Sequence, residues 1–157
     1  MSTNRIGLDT AKSQKLAEKL NNLLANYQIF YMNVRGYHWN IQGPSFFELH
    51  VKFEEQYNDL LLKVDELAER ILTLGHRPLH AFSDYIAQSA IKEHKQASDG
   101  KTCVEGLLTG YKQLIEMQRE LLELAGDAGD EGTASLMSDY IGQQEKTIWM
   151  LSAYLAS

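Results

Sequence analysis

Cysteine is almost absent from this chain: Cys103 is the single one among 157 residues. One thiol cannot close an internal disulfide, and it excludes a thiolate cage for a metal. A lone thiol also fits a reducing cytoplasm. Proline is nearly as scarce, with only Pro44 and Pro78, which favours long uninterrupted helices. No apolar run approaches the roughly 18 residues of a membrane span, and the opening MSTNRIGLDT lacks the apolar centre of a secretory signal. A cytoplasmic protein with no membrane partner is therefore expected. Positive charge is short as well, with 15 Lys and Arg against 21 Asp and Glu for a net charge of −6. Such a chain does not seek DNA through its bulk field, whereas acidic surfaces gather cations. Strand alternation, internal repeats and low-complexity segments are missing too.

What remains is a chain with 44% hydrophobic residues, enough to build the core of one domain. Four long segments carry helical periodicity. The first spans about Thr10 to His38, with a stripe of Leu16, Leu20, Leu23, Leu24, Tyr27, Tyr31 and Val34. Thr10 or Ser13 is expected to cap it. Gly43-Pro44-Ser45 breaks the chain, with Pro44 expected in the first turn of the second helix. That helix carries Phe46, Leu49, Phe53, Tyr57, Leu60, Val64, Leu67 and Ile71 inward and stops near Leu74 at Gly75. A long connection follows, in which FSDYIAQSAI predicts a short helix capped by Ser83. The third segment runs from about Lys101 to Ala125 and contains Gly106 and Gly110 one turn apart, which predicts a close helix approach. The fourth runs from about Thr133 to Leu155, after the turn GDAGDEGT. The prediction is all-α: a four-helix bundle over residues 10–157, preceded by a short flexible arm at 1–9. Its long crossover, with a short helix inside, excludes simple up-down-up-down order.

A bundle that binds two metals in its core supplies Glu-x-x-His pairs. None is present, because His38, His50, His76, His80 and His94 follow Arg35, Phe47, Thr73, Arg77 and Ile91 by three residues. The second helix offers something else. At about 100° per residue, with His50 at zero, Glu54 falls near 40°, Asp65 near 60° and Glu69 near 100°. Leu61 and Leu72 share that face, so it is partly apolar and fits a surface covered by another element. His50 and Asp65 stand roughly 22 Å apart along the axis, while metal–ligand bonds are only about 2 Å long. One ion cannot touch both. The helix thus carries two half-sites, His50 with Glu54 and Asp65 with Glu69, which an antiparallel copy related by a two-fold axis would join into two identical sites. Asp65 and Glu69 are also like charges four apart, unfavourable unless a cation lies between them. Glu66 and Arg70 form the attractive pair expected on another face. The bland alternatives are solvated surface charges for the four residues and core histidines for His50 and His38.

Taken together, His38-Trp39-Asn40, Gly43, Phe47, His50, Phe53-Glu54-Glu55, Tyr57, Asp65 through Arg70 and Leu74-Gly75 resemble the signature of the Dps family, the miniferritins. Ile148-Trp149-Met150-Leu151 resembles the family's last helix, and the likeness covers the chain from about Leu16. The resemblance implies a ferritin-like fold assembled as a hollow homo-dodecamer, with ferroxidase centres at two-fold interfaces. It implies that His38 and His50 come from one subunit, and Asp65 and Glu69 from its partner. Glu54 stands where many members have Asp and others Glu, which bears on whether the centre is mono-iron or di-iron. The implied substrates are Fe(II) and hydrogen peroxide, usually the better oxidant, or dioxygen, with ferric iron stored inside. Mixed imidazole and carboxylate ligands suit Fe(II) and also admit Zn(II) as a competitor.

Trp39 and Tyr37, beside His38, would act as relays or radical traps, or simply pack at the interface. Asp127, Asp130, Glu131 and Asp139 are pore candidates by family placement and otherwise turn and cap residues; Cys103 reads as structural. DNA is a further partner by family name, which would place the protein on the nucleoid. However, the basic arm is thin, with Arg5, Lys12 and Lys15 against Asp9. A nucleoid-compacting protein with little ferroxidase activity is the alternative function.

Overall fold

A computed structural model describes residues 2–156. Five helices appear in chain order: α1 (Thr10–Asn40), α2 (Phe46–Thr73), α3 (Phe82–Gln88), α4 (Gly100–Asp127) and α5 (Glu131–Leu155). The four long helices enclose one core that includes Leu20, Leu23, Phe30, Phe53, Leu60, Leu67, Leu107, Leu114 and Met137. Among the described residues, no helix is long and apolar enough to cross a membrane.

Several boundaries differ from the sequence expectation for local reasons. Asp9, rather than Thr10 or Ser13, caps α1 by accepting the Lys12 N–H at 2.9 Å. Ser13 is buried instead and accepts a bond from Asn4. The same Asn4 reaches the Leu74 carbonyl, so the segment ahead of α1 is tied to the end of α2. Pro44 lies outside α2: Gly43 has φ +95° and Ser45 φ +64°, and helical dihedrals begin only at Phe46. Ser83 does not cap α3, which starts at Phe82 after Ala81 without a side-chain cap. Gly75 does end α2, at φ +92°, with the His76 N–H returning to the Ile71 carbonyl.

The crossover climbs along α1 and is pinned by a ladder of asparagines. Asn21 donates to the Arg77 carbonyl, Asn22 to Gln88 and Asn33 to Lys92. Asn26 accepts the backbone N–H groups of Ala90 and Ile91, which pulls the chain out of helix and ends α3 before SAI. Near the top, Gln42 N–H meets the Ser98 carbonyl. This path delivers the chain to the C-terminal end of α1, so α4 runs antiparallel to α1. Gly106 and Gly110 are where those two helices meet. A Cβ on Gly106 would collide with the Tyr37 ring and hydroxyl, and one on Gly110 with Phe30, as their spacing predicts.

At the centre of the bundle, where a metal pair would sit in a bundle of Glu-x-x-His type, the side chains are neutral. Tyr27 donates to Gln118, Gln118 donates to Gln144 at 2.8 Å, and Gln144 donates back to Tyr27 at 2.7 Å. Burial pushes the Tyr27 phenol well above its ordinary pKa, so it stays protonated in this closed ring of bonds.

Candidate metal centre

The sharp turn at Gly43–Ser45 folds the start of α2 against the end of α1. It stacks the rings of His38 and His50 at 3.8 Å between centroids, 14° from parallel. Phe46 stacks on the far face of His50 at 5.1 Å, and Tyr57 meets His38 edge-on at 5.3 Å. The two histidines lock each other: His38 Nδ1 lies 2.6 Å from the His50 carbonyl, and His50 Nδ1 lies 2.8 Å from the His38 carbonyl. A carbonyl oxygen only accepts, so each Nδ1 carries a proton and donates it. In the neutral ring, the proton on Nδ1 leaves each Nε2 with an open lone pair, the form that binds a metal, and the backbone bond holds the ring in orientation.

Glu54, one turn beyond His50, completes this half. Its Oε1 is 3.6 Å from His38 Nε2, too far for a hydrogen bond. Two ligands each about 2 Å from one ion would stand about 3 Å apart. The gap therefore closes with a small rotation of a carboxylate whose side chain is 54% exposed. The imidazole and carboxylate donors fit Fe(II) and Zn(II).

Asp65 and Glu69 are exposed and lie toward the other end of α2. Among the described residues, no group of three or more His, Cys, Asp or Glu side chains could hold one ion within a single chain. His38 lies against both the His50 ring and the Glu54 carboxylate, but the three do not converge on a single ion position, and Asp65 and Glu69 lie apart from them. On the same face Val51, Leu61 and Leu72 are about half exposed.

Other expectations change. Arg70 does not pair with Glu66. It binds Asp130 at 2.6 Å and Thr133 at 2.9 Å, while Glu66 accepts from Tyr140 at 2.8 Å. Asp130 is only 2% exposed and caps α5 through the Thr133 N–H, so its carboxylate does not line a pore. Asp127, Glu131 and Asp139 are exposed. Tyr37 is buried, bonded to His94 and packed on Phe53, whereas Trp39 is 60% exposed. Burial pushes the Cys103 thiol up to about 11, which keeps it protonated and inert.

Two residues were not read from the sequence as neighbours of the site, although Tyr57 was assigned to the core stripe and the signature. Tyr57 borders His38, and Arg35 lies over the Tyr57 ring at 4.7 Å. Their signal was present in the helical register: Arg35 lies three residues before His38, and Tyr57 seven after His50.

Comparison with known proteins identifies the family of this fold. A ferritin-like domain matches residues 17–157. A DNA protection during starvation protein of Porphyromonas gingivalis is 40% identical over 148 residues, spanning 94% of this chain and 93% of that one. One of that name from Helicobacter pylori is 37% identical over 143 residues, spanning 90% and 99%. The crystal structure of a DPS protein from Vibrio cholerae O1 superposes with a TM-score of 0.98 at 65% identity, covering 99% of this chain and 98% of that one. That protein is described as a member of a broad superfamily of ferritin-like diiron-carboxylate proteins. With a ferritin-like match over most of its length and identities of this order, the chain belongs to the Dps family of ferritin-like proteins.

Proposed function

We propose that this protein is a cytoplasmic miniferritin. It oxidises Fe(II), preferentially with hydrogen peroxide, at centres shared by two subunits, and holds the ferric product inside a hollow shell of twelve. The observation that carries the reading is the reciprocal lock of His38 and His50 through Nδ1, which in the neutral rings leaves both Nε2 lone pairs open for a metal, that of His38 3.6 Å from the Glu54 carboxylate. The remaining donors, Asp65 and Glu69, lie on the same helix beyond the reach of that ion. A partner related by a two-fold axis brings its own copies of them to the histidine half, and the half-exposed Val51, Leu61 and Leu72 supply apolar surface for the contact.

The side chains then have separate tasks. His38 and His50 bind through Nε2 and cannot swing, because each ring is tethered through Nδ1. Glu54 and the partner's carboxylates add negative charge, which stabilises the ferric product over the ferrous substrate. Two Fe(II) supply one electron each, the peroxide O–O bond breaks, two protons are taken up, and two waters leave. No hydroxyl radical is released when both electrons arrive together. Trp39, next to His38, is oxidised only when an oxidising equivalent escapes the iron pair. Zn(II) competes for the same donors.

The test adds Fe(II) and limiting peroxide without air, followed by size exclusion with iron and protein read together. Ferric iron travelling with a large shell, at about two Fe(II) per peroxide by the two-electron chemistry of a paired centre, supports the reading. Iron that precipitates as it does without protein overturns it. A nucleoid-compacting role is favoured by the name of the relatives, DNA protection during starvation. That reading relies on the thin basic arm, of which Lys12 already donates to the Asp127 carbonyl at 3.4 Å. A gel shift at two salt concentrations decides it, since phosphate-driven binding weakens steeply with salt; no retardation at low salt dismisses it.

A further inference from the structure

Arg35 occupies a position that the proposed reaction does not use. Its guanidinium carbon lies 4.7 Å from the centre of the Tyr57 ring, 5.2 Å from Trp39 and 5.8 Å from Tyr31. It also donates a hydrogen bond to the Tyr31 hydroxyl. Tyr31 meets Tyr57 edge-on at 6.0 Å, and Tyr57 meets His38 edge-on at 5.3 Å. Tyr31, Arg35 and Trp39 follow one another at steps of four along α1, and Tyr57 faces them from α2. One cation therefore contacts three oxidisable rings, one of which touches an imidazole of the proposed centre.

A cation on the face of an aromatic ring is attracted by the ring quadrupole and stabilises the intact ring. The same cation repels the positive charge that builds on the ring as the electron leaves, before the proton has gone. The guanidinium carries a fixed positive charge. It matters when only one Fe(II) meets peroxide. One Fe(II), one hydrogen peroxide, one Tyr57 phenol and one proton can then give one Fe(III), two waters and a neutral phenoxyl radical. The O–O bond breaks, iron supplies one electron, and the phenol supplies the other with its proton. The Trp39 indole can substitute for the phenol, ending as the neutral indolyl radical.

We infer that Arg35 is a positioning residue that suppresses this side reaction by making electron loss from Tyr57 and Trp39 more costly, so that both electrons for peroxide come from paired Fe(II). The oxidant in this scheme rests on the ferroxidase reading, but the effect on the rings is a property of the metal-free protein. The two are therefore tested separately. In the metal-free shell, a photogenerated ruthenium(III) polypyridyl complex serves as the one-electron oxidant, and peptide mass spectrometry measures oxidised Tyr57 and Trp39. Arg35→Gln should raise the oxidised fraction about threefold to tenfold, the scale of one lost cation–π contact. Arg35→Lys, which keeps the charge, should return it most of the way. Zn(II) uptake and the melting temperature report whether the site and fold are intact.

With one Fe(II) per site and excess peroxide, freeze-quenched radical yield should rise in Arg35→Gln by a similar factor. Equal or lower ring oxidation in Arg35→Gln, or a Lys variant that behaves like Gln, overturns the inference. Where the parent protein oxidises Fe(II), so does a metal-free rise with no change in the iron-driven radical. A metal-free rise in a parent protein that fails to oxidise Fe(II) upholds the charge effect on the rings and sinks the ferroxidase reading instead.

Discussion

The two ends of α2 carry similar chemistry in different states of order. At the start, the His50 ring is held between Phe46 and His38, and its Nδ1 is bonded to backbone. Toward the end, Asp65 and Glu69 are exposed, and among the described residues neither carboxylate accepts a hydrogen bond. The imidazole half is pre-organised by its own chain, so binding there costs little side-chain entropy. The carboxylate half keeps its rotamer freedom and its mutual repulsion in the single chain; in the proposed function a cation and a second subunit remove both. In the proposed function, a site divided in this way stays incomplete in an isolated chain and couples metal binding to assembly.

The sharpest way to break the comparison is to remove one ligand from each half. His50→Ala with Asp65→Ala should slow peroxide-driven Fe(II) oxidation by on the order of 100-fold, at least the loss seen when outer-shell partners of metal ligands are removed. The two single variants, co-assembled in equal amounts, should recover about one quarter of parental activity. Half of the random pairs are mixed, and each mixed pair has one intact site of two. Stopped-flow absorbance reads both, and no recovery on mixing would place all the ligands in one chain. Next in size, Glu54→Gln should weaken Zn(II) binding about tenfold by titration calorimetry, because a charged donor beside His38 Nε2 is lost.

Gly106→Ala tests the support behind the histidine half. The added methyl strikes Tyr37, the neighbour of His38 in sequence, and should cost about 1–3 kcal/mol in chemical denaturation. The smallest effect belongs to Asp65→Asn. Without metal it should stabilise the chain by about 0.2–0.5 kcal/mol through relief of like-charge repulsion; with Zn(II) present it should destabilise. A metal-free loss of stability would mean that Asp65 already has a favourable partner.

Much of the fold could be read from local pattern. The four long helices follow from 3.6-residue periodicity, and Gly75 ends α2 because a left-handed residue is needed there. The start of α2 was misplaced because Pro44 fits a first helical turn in general, whereas Ser45 here takes φ +64° to turn the chain back on α1. Arg70 was assigned to Glu66 by helical spacing. Its true partner, Asp130, lies sixty residues away and is brought in by the packing of the α4–α5 turn on α2. The asparagine ladder on α1 carries no periodic signal, since its partners are backbone groups of the crossover.

For the site, sequence alone determined that His50, Glu54, Asp65 and Glu69 share a face and that no single ion can reach from the first pair to the second. Helical rise and angular spacing are local and need no tertiary contact. Only the tertiary structure decided that His38 and His50 fix each other's tautomer, that Arg35 lies over Tyr57 and Trp39, and that Asp130 is buried. Those facts depend on the angle at which α2 leaves the Gly43–Ser45 turn and on the packing of α5 against Arg70, which residue order does not encode in any local pattern.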